Sequence, residues 1–148
     1  MTVIAWDGRT LAADKRAVLA GNGAGMITKI FRVNGDLCAF SGDVDVGLQM
    51  VEWYRAGCIA EQFPQKQSDD NASTLLVITK DRRVLRYERT TAPLYFEEPF
   101  AASGSGRDYA LAAMYLGYDA RRAVEVACAF DVACGNGIDT LEHEQSQR

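Results

Sequence analysis

Met1-Thr2-Val3-Ile4-Ala5-Trp6-Asp7-Gly8-Arg9-Thr10-Leu11-Ala12-Ala13-Asp14 opens the chain, and its reading decides the fold. Asp7-Gly8-Arg9 is a turn signal between two apolar runs, so Thr2–Trp6 and Thr10–Asp14 are expected as paired short strands. Residues 19–25 are too rich in glycine for an element interior and read as a loop. Met26–Val33 and Leu37–Phe40 flank Asn34-Gly35, the strongest short-range hairpin signal. After Ser41-Gly42-Asp43 the apolar residues Val44, Leu48, Val51, Tyr54 and Cys58 recur at helical spacing, until Pro64 closes the segment.

Further along, Ser73–Thr79 and Val84–Arg89 predict a second hairpin around Lys80–Arg83. A strand near Leu94–Phe96 and a short run to Ala102 follow. Gly104-Ser105-Gly106 is a tight turn into a helix over Asp108–Leu116, and Asp119 is placed to N-cap another through Phe130. Gly135-Asn136-Gly137 breaks the chain before a last strand, Ile138–Leu141, and the polar tail Glu142–Arg148 is expected to fray. Hairpins with helices in separate blocks give an α+β class in one domain over residues 1–148. A four-layer α-β-β-α sandwich accommodates this order, although pattern alone does not single it out.

Composition narrows the function. With 48% apolar and 24% charged residues the chain matches an ordinary globular protein and excludes disordered or collagen-like architectures. A formal net charge of −4 speaks against nucleic-acid and polybasic membrane partners. Leu75–Ile78 is the longest aliphatic run, far short of the ~20 residues of a spanning helix. No charged-then-apolar leader precedes the first strand, so a cytoplasmic protein is expected. Cys38, Cys58, Cys128 and Cys134 stand singly and His143 is the sole histidine, which leaves no zinc-ligand spacing and no metal or other cofactor to expect.

Familiar catalytic constellations are missing. A Ser-His-Asp triad would need His143 from the polar tail, and Gly21-Asn22-Gly23-Ala24-Gly25 lacks the context of a phosphate loop. What remains is Thr2. A hydroxyl is a weak nucleophile until a base takes its proton, and a chain's own α-amine, reference pKa ~7.7–8.0, can serve as that base once Met1 is removed. Threonine is also β-branched and stiff at χ1, which holds its oxygen in one direction.

Several motifs in order then carry a resemblance. Thr2-Val3-Ile4-Ala5 with Leu11-Ala12-Ala13-Asp14-Lys15-Arg16-Ala17-Val18, Thr28-Lys29-Ile30, Phe40-Ser41-Gly42-Asp43, Gly104-Ser105-Gly106 and Asp131-Val132-Ala133-Cys134-Gly135-Asn136-Gly137-Ile138-Asp139 span nearly the whole chain. Together they resemble β-type proteasome subunits of the compact bacterial kind related to the HslV peptidase, within the N-terminal nucleophile hydrolases. That family's fold is the α-β-β-α sandwich.

The resemblance implies Thr2 as nucleophile with its freed α-amine as base, Lys29 beside the threonine oxygen, and Asp14 compensating the lysine charge. Ser105 and Asp131 would orient the terminal amine, and the Gly42 N–H would receive the developing oxyanion. Ile27, Phe31, Phe40 and Val44 fall where the family lines its substrate pocket, which implies cleavage after hydrophobic residues. Peptides or unfolded proteins are the implied substrates, homo-oligomeric stacked rings the implied assembly, and an ATPase unfoldase fits as partner. Cys134 departs from the family, which has serine there. A Met1 that stays in place leaves Thr2 without an α-amine and implies instead a non-catalytic assembly subunit. A hydrolase of the same class acting on a small amide is the third reading.

Overall fold

A computed structural model describes residues 2–18, 24–65 and 72–144. Met1, positions 19–23 of the glycine-rich loop, the polar stretch 66–71 and tail residues 145–148 lie outside the described residues. In chain order the elements are β1 (Ile4–Trp6), β2 (Thr10–Asp14), β3 (Arg16–Val18), β4 (Ala24–Met26), β5 (Ile30–Val33), β6 (Asp36–Gly42), α1 (Val44–Arg55), β7 (Ser73–Ile78), β8 (Val84–Tyr87), β9 (Leu94–Phe96), β10 (Ala101–Ser103), α2 (Arg107–Tyr115), α3 (Ala120–Phe130) and β11 (Ile138–Glu142). The class is α+β. Antiparallel pairing builds one sheet in the order β10-β1-β2-β11, a second in the order β5-β6-β7-β8-β9, and a ribbon of β3 with β4.

Local chemistry forms the hairpins. Asp7 Oδ1 accepts from the N–H groups of Arg9 at 2.8 Å and Thr10 at 2.7 Å, closing the first turn. Asn34 and Gly35 take φ of 53° and 87°, the left-handed pair that matches the twist of β5 and β6. Asp43 caps α1 by accepting from Val46 N at 3.0 Å, and Asp119 caps α3 by accepting from Arg122 N at 2.9 Å.

Alternation along the strands divides the apolar residues into three clusters. Val3, Ala5 and Ala12 face α2 and α3, where alanines at 110, 113, 120, 123 and 127 let helix and sheet approach closely. Ile4, Trp6, Leu11 and Ala13 face the other way, onto Ile30, Leu37, Ala39, Leu76 and Ile78 of the second sheet. The far side of that sheet, with Cys38, Phe40, Leu75 and Val77, packs against Met50, Val51 and Trp53 of α1. Edge-on contacts of Trp53 with Phe63 (4.8 Å) and Tyr87 (5.1 Å) close this third cluster.

Four expectations need correction. Ala24 and Gly25 belong to β4, because Ala17 pairs with Gly25 across the ribbon. Met26–Val33 is not one strand: Ile27 N still donates to Lys15 O, while Lys29 O accepts from Phe40 N, so one run serves both the ribbon and the second sheet. α1 stops at Arg55, before Cys58, because Gly57 (φ 106°) and Cys58 (φ 61°) reverse the chain. Glu142 closes β11, and His143 is buried, with its N–H on Arg9 O, Nε2 at 2.9 Å from Thr79 O and its ring edge-on to Trp6. Fraying therefore cannot begin at 142.

Gly47 sits in α1 directly over the Phe40 ring, where an added Cβ would come 2.6 Å from Cγ. Alanine gains ~1 kcal/mol of helix propensity, but overpacking a rigid aromatic core costs about 1–3 kcal/mol. Gly47→Ala is therefore expected to lower the urea midpoint, and an unchanged or raised midpoint would show that Phe40 can yield.

Candidate active site

The turn after β10 and the residue before β5 both meet Thr2, which is 3% exposed. Its carbonyl accepts from Gly106 N at 3.1 Å, and its nitrogen donates to Ser105 Oγ at 3.2 Å. The Gly104-Ser105-Gly106 turn can come this close because it carries no side chain at either end. A Cβ on Gly104 would run into the Thr2 carbonyl, and one on Gly106 would lie 2.8 Å from Val3 Cβ and 3.2 Å from Cys134 Sγ.

Lys29 reaches the threonine from the second sheet. Its Nζ donates to Thr2 Oγ1 at 3.0 Å and to Asp14 Oδ1 at 2.8 Å. Both charged side chains are buried, so the ammonium needs the carboxylate and the carboxylate needs further donors. Those are present. Val3 N donates to Asp14 Oδ1 at 3.1 Å, while Gly135 N at 2.9 Å and Arg16 N at 3.3 Å donate to Oδ2. A cation held 3.0 Å from a hydroxyl oxygen favours loss of its proton, and the low-dielectric surroundings strengthen that effect.

Ser105 links Thr2 to a second acidic group. Ala133 N donates to Asp131 Oδ1 at 2.9 Å, and the Cys134 thiol donates to Oδ2 at 3.4 Å while standing 3.8 Å from Ser105 Oγ. The Ser105 hydroxyl first, then the Ala133 N–H, hold the Asp131 carboxyl below its ordinary value of 3.8. Burial pushes the Cys134 thiol up to about 12, so it remains a protonated donor. Asp131 thus stands one step further from Thr2 than Ser105 does, reached through Ser105 and Cys134.

Gly42 ends β6 with φ 102°, and a Cβ there would strike Ala72 O, so only glycine fits where the sheet hands over to α1. Ile27, Phe31 and Val44 are half-buried and pack on the third cluster. Phe40 differs from them: it is 1% exposed, stacks on Phe31 at 6.4 Å between ring centroids and belongs to the core beneath α1.

Three side chains went unnoticed in the sequence. Ser41, Thr74 and Ser103 form a hydroxyl trio, with Ser41 Oγ 2.7 Å from Thr74 Oγ1 and 3.0 Å from Ser103 Oγ. Arg16 was likewise unassigned. Its guanidinium donates to Val132 O and to Asn136 Oδ1, holding the loop that presents Cys134 and Gly135. Gly42 after Ser41 and Gly104 after Ser103 were the available signal, whereas Thr74 and Arg16 have no glycine beside them. Among the described residues no cluster of His, Cys, Asp and Glu could hold a metal ion.

No family model matches this chain, and no curated protein matches it. Solved structures do. Thiobacillus denitrificans BPH in complex with epoxomicin is similar with a TM-score of 0.71 at 22% identity, covering 97% of this chain and 100% of that one. Thiobacillus denitrificans BPH is similar with a TM-score of 0.69 at 22% identity, covering 97% and 98%. At that identity the likeness establishes the fold.

Two consequences are measurable. Lys29→Met strands the buried Asp14 carboxylate without its counter-charge and should cost about 3–5 kcal/mol in urea unfolding at neutral pH; a loss under ~1 kcal/mol would mean that the backbone donors alone suffice. Asp131 has a depressed folded-state pKa, so its stabilisation is present above the unfolded value of 3.8 and is lost as pH falls through the folded value below it. The melting temperatures of the wild type and Asp131→Asn should differ at pH 7 and converge in strong acid, whereas a constant gap would assign the loss to packing.

Proposed function

We propose that this chain is the threonine-type peptidase subunit of a self-compartmentalising ring, built as the four-layer α-β-β-α sandwich of the N-terminal nucleophile hydrolases and similar to β-type proteasome subunits. The observation that carries the reading is the Lys29 ammonium, 3.0 Å from Thr2 Oγ1 and 2.8 Å from Asp14. Its support includes the fold shared with the BPH structures, one of which holds epoxomicin. In this reading residues 1–148 act as one domain in the cytoplasm, without cofactor, and peptides or unfolded proteins are the substrates.

The chemistry follows from the groups in place. Removal of Met1 frees the Thr2 α-amine, which takes the proton of Oγ1 directly or through a water. Oγ1 attacks the peptide carbonyl while Lys29 favours the alkoxide-like oxygen. The Gly42 N–H, at the end of β6 just ahead of the cap of α1, receives the oxyanion. The ammonium of Thr2 then gives its proton to the departing amine, leaving an ester on Oγ1. Water, deprotonated by the same amine, hydrolyses the ester and restores the hydroxyl. Ser105 holds the nitrogen throughout, with Asp131 behind it. Ile27, Phe31 and Val44 offer an apolar wall for the residue before the scissile bond, with Phe40 as its backing.

A non-catalytic assembly subunit is the second reading, and Cys134 favours it. A thiol is a weaker donor than the family's serine hydroxyl, so its 3.4 Å contact supports Asp131 less firmly.

The two readings diverge in one experiment. Protein from its own host should show Thr2 as its N-terminal residue by mass, hydrolyse peptides and retain epoxomicin. Thr2→Ala should lower turnover by roughly 1000-fold or more, as loss of a nucleophile does, with its melting temperature little changed. A persistent Met1 with no hydrolysis of a broad peptide library, or full turnover in Thr2→Ala, would overturn the peptidase reading.

A further inference from the structure

Ser41, Thr74 and Ser103 occupy a place that calls for apolar residues. Inward-facing positions alternate along each strand: Leu37 and Ala39 on β6, Leu76 and Ile78 on β7, and Ala101 on β10 all belong to the cluster between the sheets. The next inward position on each strand, at the end nearest Thr2, is Ser41, Thr74 or Ser103. The apolar layer therefore ends in a layer of hydroxyls that satisfy one another. Ser41 is the hub, 2.7 Å from Thr74 Oγ1 and 3.0 Å from Ser103 Oγ, with the third side of the triangle at 3.4 Å. Ser41 and Ser103 are 5% and 1% exposed, so their bonds form in a dry, low-dielectric setting where they are directional and strong.

The chain neighbours of these residues give the trio its meaning. Ser103 pairs with Ile4 across β10 and β1 and is followed at once by the turn that holds both the carbonyl and the nitrogen of Thr2. Ser41 lies opposite Thr74 across β6 and β7 and is followed at once by Gly42. The Ser41–Ser103 bond thus crosses from one sheet to the other one residue away from each half of the site. Methyl contacts at the neighbouring inward positions Ala39 and Ala101 cannot by themselves set that spacing, because dispersion contacts have no fixed direction. A hydrogen bond of defined length can.

We propose that the Ser41–Thr74–Ser103 trio is a positioning device that sets the distance between the Thr2 oxygen and the Gly42 N–H, and so the alignment of nucleophile with oxyanion donor. The trio touches neither substrate nor the reacting atoms; it acts through the two backbone segments it joins. This role rests on the peptidase reading above.

Ser41→Ala, Ser103→Ala, their double variant, Thr74→Val and Thr74→Ser test it, in the full chain with Met1 removed. Alanine keeps most of the volume at the buried serines, so the variants should fold, which circular dichroism checks. Steady-state hydrolysis of a short peptide should show kcat lowered roughly tenfold in each serine variant, less than the ~100-fold or more that follows loss of an oxyanion donor itself. KM should stay within about twofold of the wild type, since the lost alignment matters only as charge develops. The double variant should lose no more than the worse single one, because both remove the same bond. Thr74→Ser should keep the wild-type kcat and Thr74→Val should lower it. A wild-type kcat in folded Ser41→Ala and Ser103→Ala, a rise in KM in place of the fall in kcat, or losses that multiply in the double variant would each overturn the role while leaving the peptidase reading intact. A wild type inert toward both peptides and epoxomicin would overturn the reading, and this role with it.

Discussion

An ammonium and a carboxylate 2.8 Å apart, both out of water, are the constraint around which the chain is organised. Their mutual attraction does not by itself offset the desolvation of two ions. The balance is met by backbone N–H groups, and these come from dispersed places: Val3 ahead of β1, Arg16 at the start of β3, and Gly135 in the loop before β11. Lys29 itself arrives from the second sheet. The pair can persist only if both sheets, the ribbon and the closing loop are in register together. The same geometry leaves one ammonium proton directed at Thr2 Oγ1, so the folding requirement and the one that the proposed peptidase chemistry makes converge on a single lysine.

The loop that closes over Asp14 shows how this register is kept. Arg16 donates to Val132 O and Asn136 Oδ1, and Asn136 in turn donates from Nδ2 to Gly25 O. Lys15 meets Asp139 at 2.6 Å on the other side. The β3–β4 ribbon is thus fastened to the segment that delivers Gly135 N to the carboxylate, and Cys134 to Ser105 and Asp131. Small shifts in that loop act on both acidic groups at once. Asp14 and Asp131 are therefore not independent supports of the threonine.

What was legible in the sequence follows from range. Asp7-Gly8-Arg9, Asn34-Gly35 and the Asp119 cap act within three or four residues, and each is found where local chemistry places it. Thr2, Lys29 and Ser105 meet across as many as 103 positions, which no local pattern encodes; a resemblance in motif order brought them together. Period-2 patterning failed at Met26–Val33 because the segment changes partners midway while its apolar residues continue. It also passed over Ser41 and Ser103, since a serine at a strand end reads as the beginning of a turn, and Thr74, whose place in the expected strand Ser73–Thr79 does not show which side chains face it. His143 was misplaced because polar composition signals solvent only where no partner waits, and Thr79 O and Trp6 wait there.

A fold shared at 22% identity is compatible with a site that depends so heavily on its backbone. Of the groups that surround Thr2 and Asp14, Gly106 N, Val3 N, Arg16 N and Gly135 N contribute main-chain atoms, which most side chains leave undisturbed. What must be kept is sparse: Lys29, Asp14 and a hydroxyl at Ser105, with glycine at 42 and 104, where positive φ and close carbonyl contact exclude a Cβ. Elsewhere the requirement is for an alternating apolar strand or a small residue under a helix, which many sequences meet. Substitution can therefore run far through the sheets and helices without moving the threonine. It reaches the groups around Thr2 only where a side chain mediates between backbone segments, as Cys134 does between Ser105 and Asp131, where a thiol makes a weaker contact than a hydroxyl would.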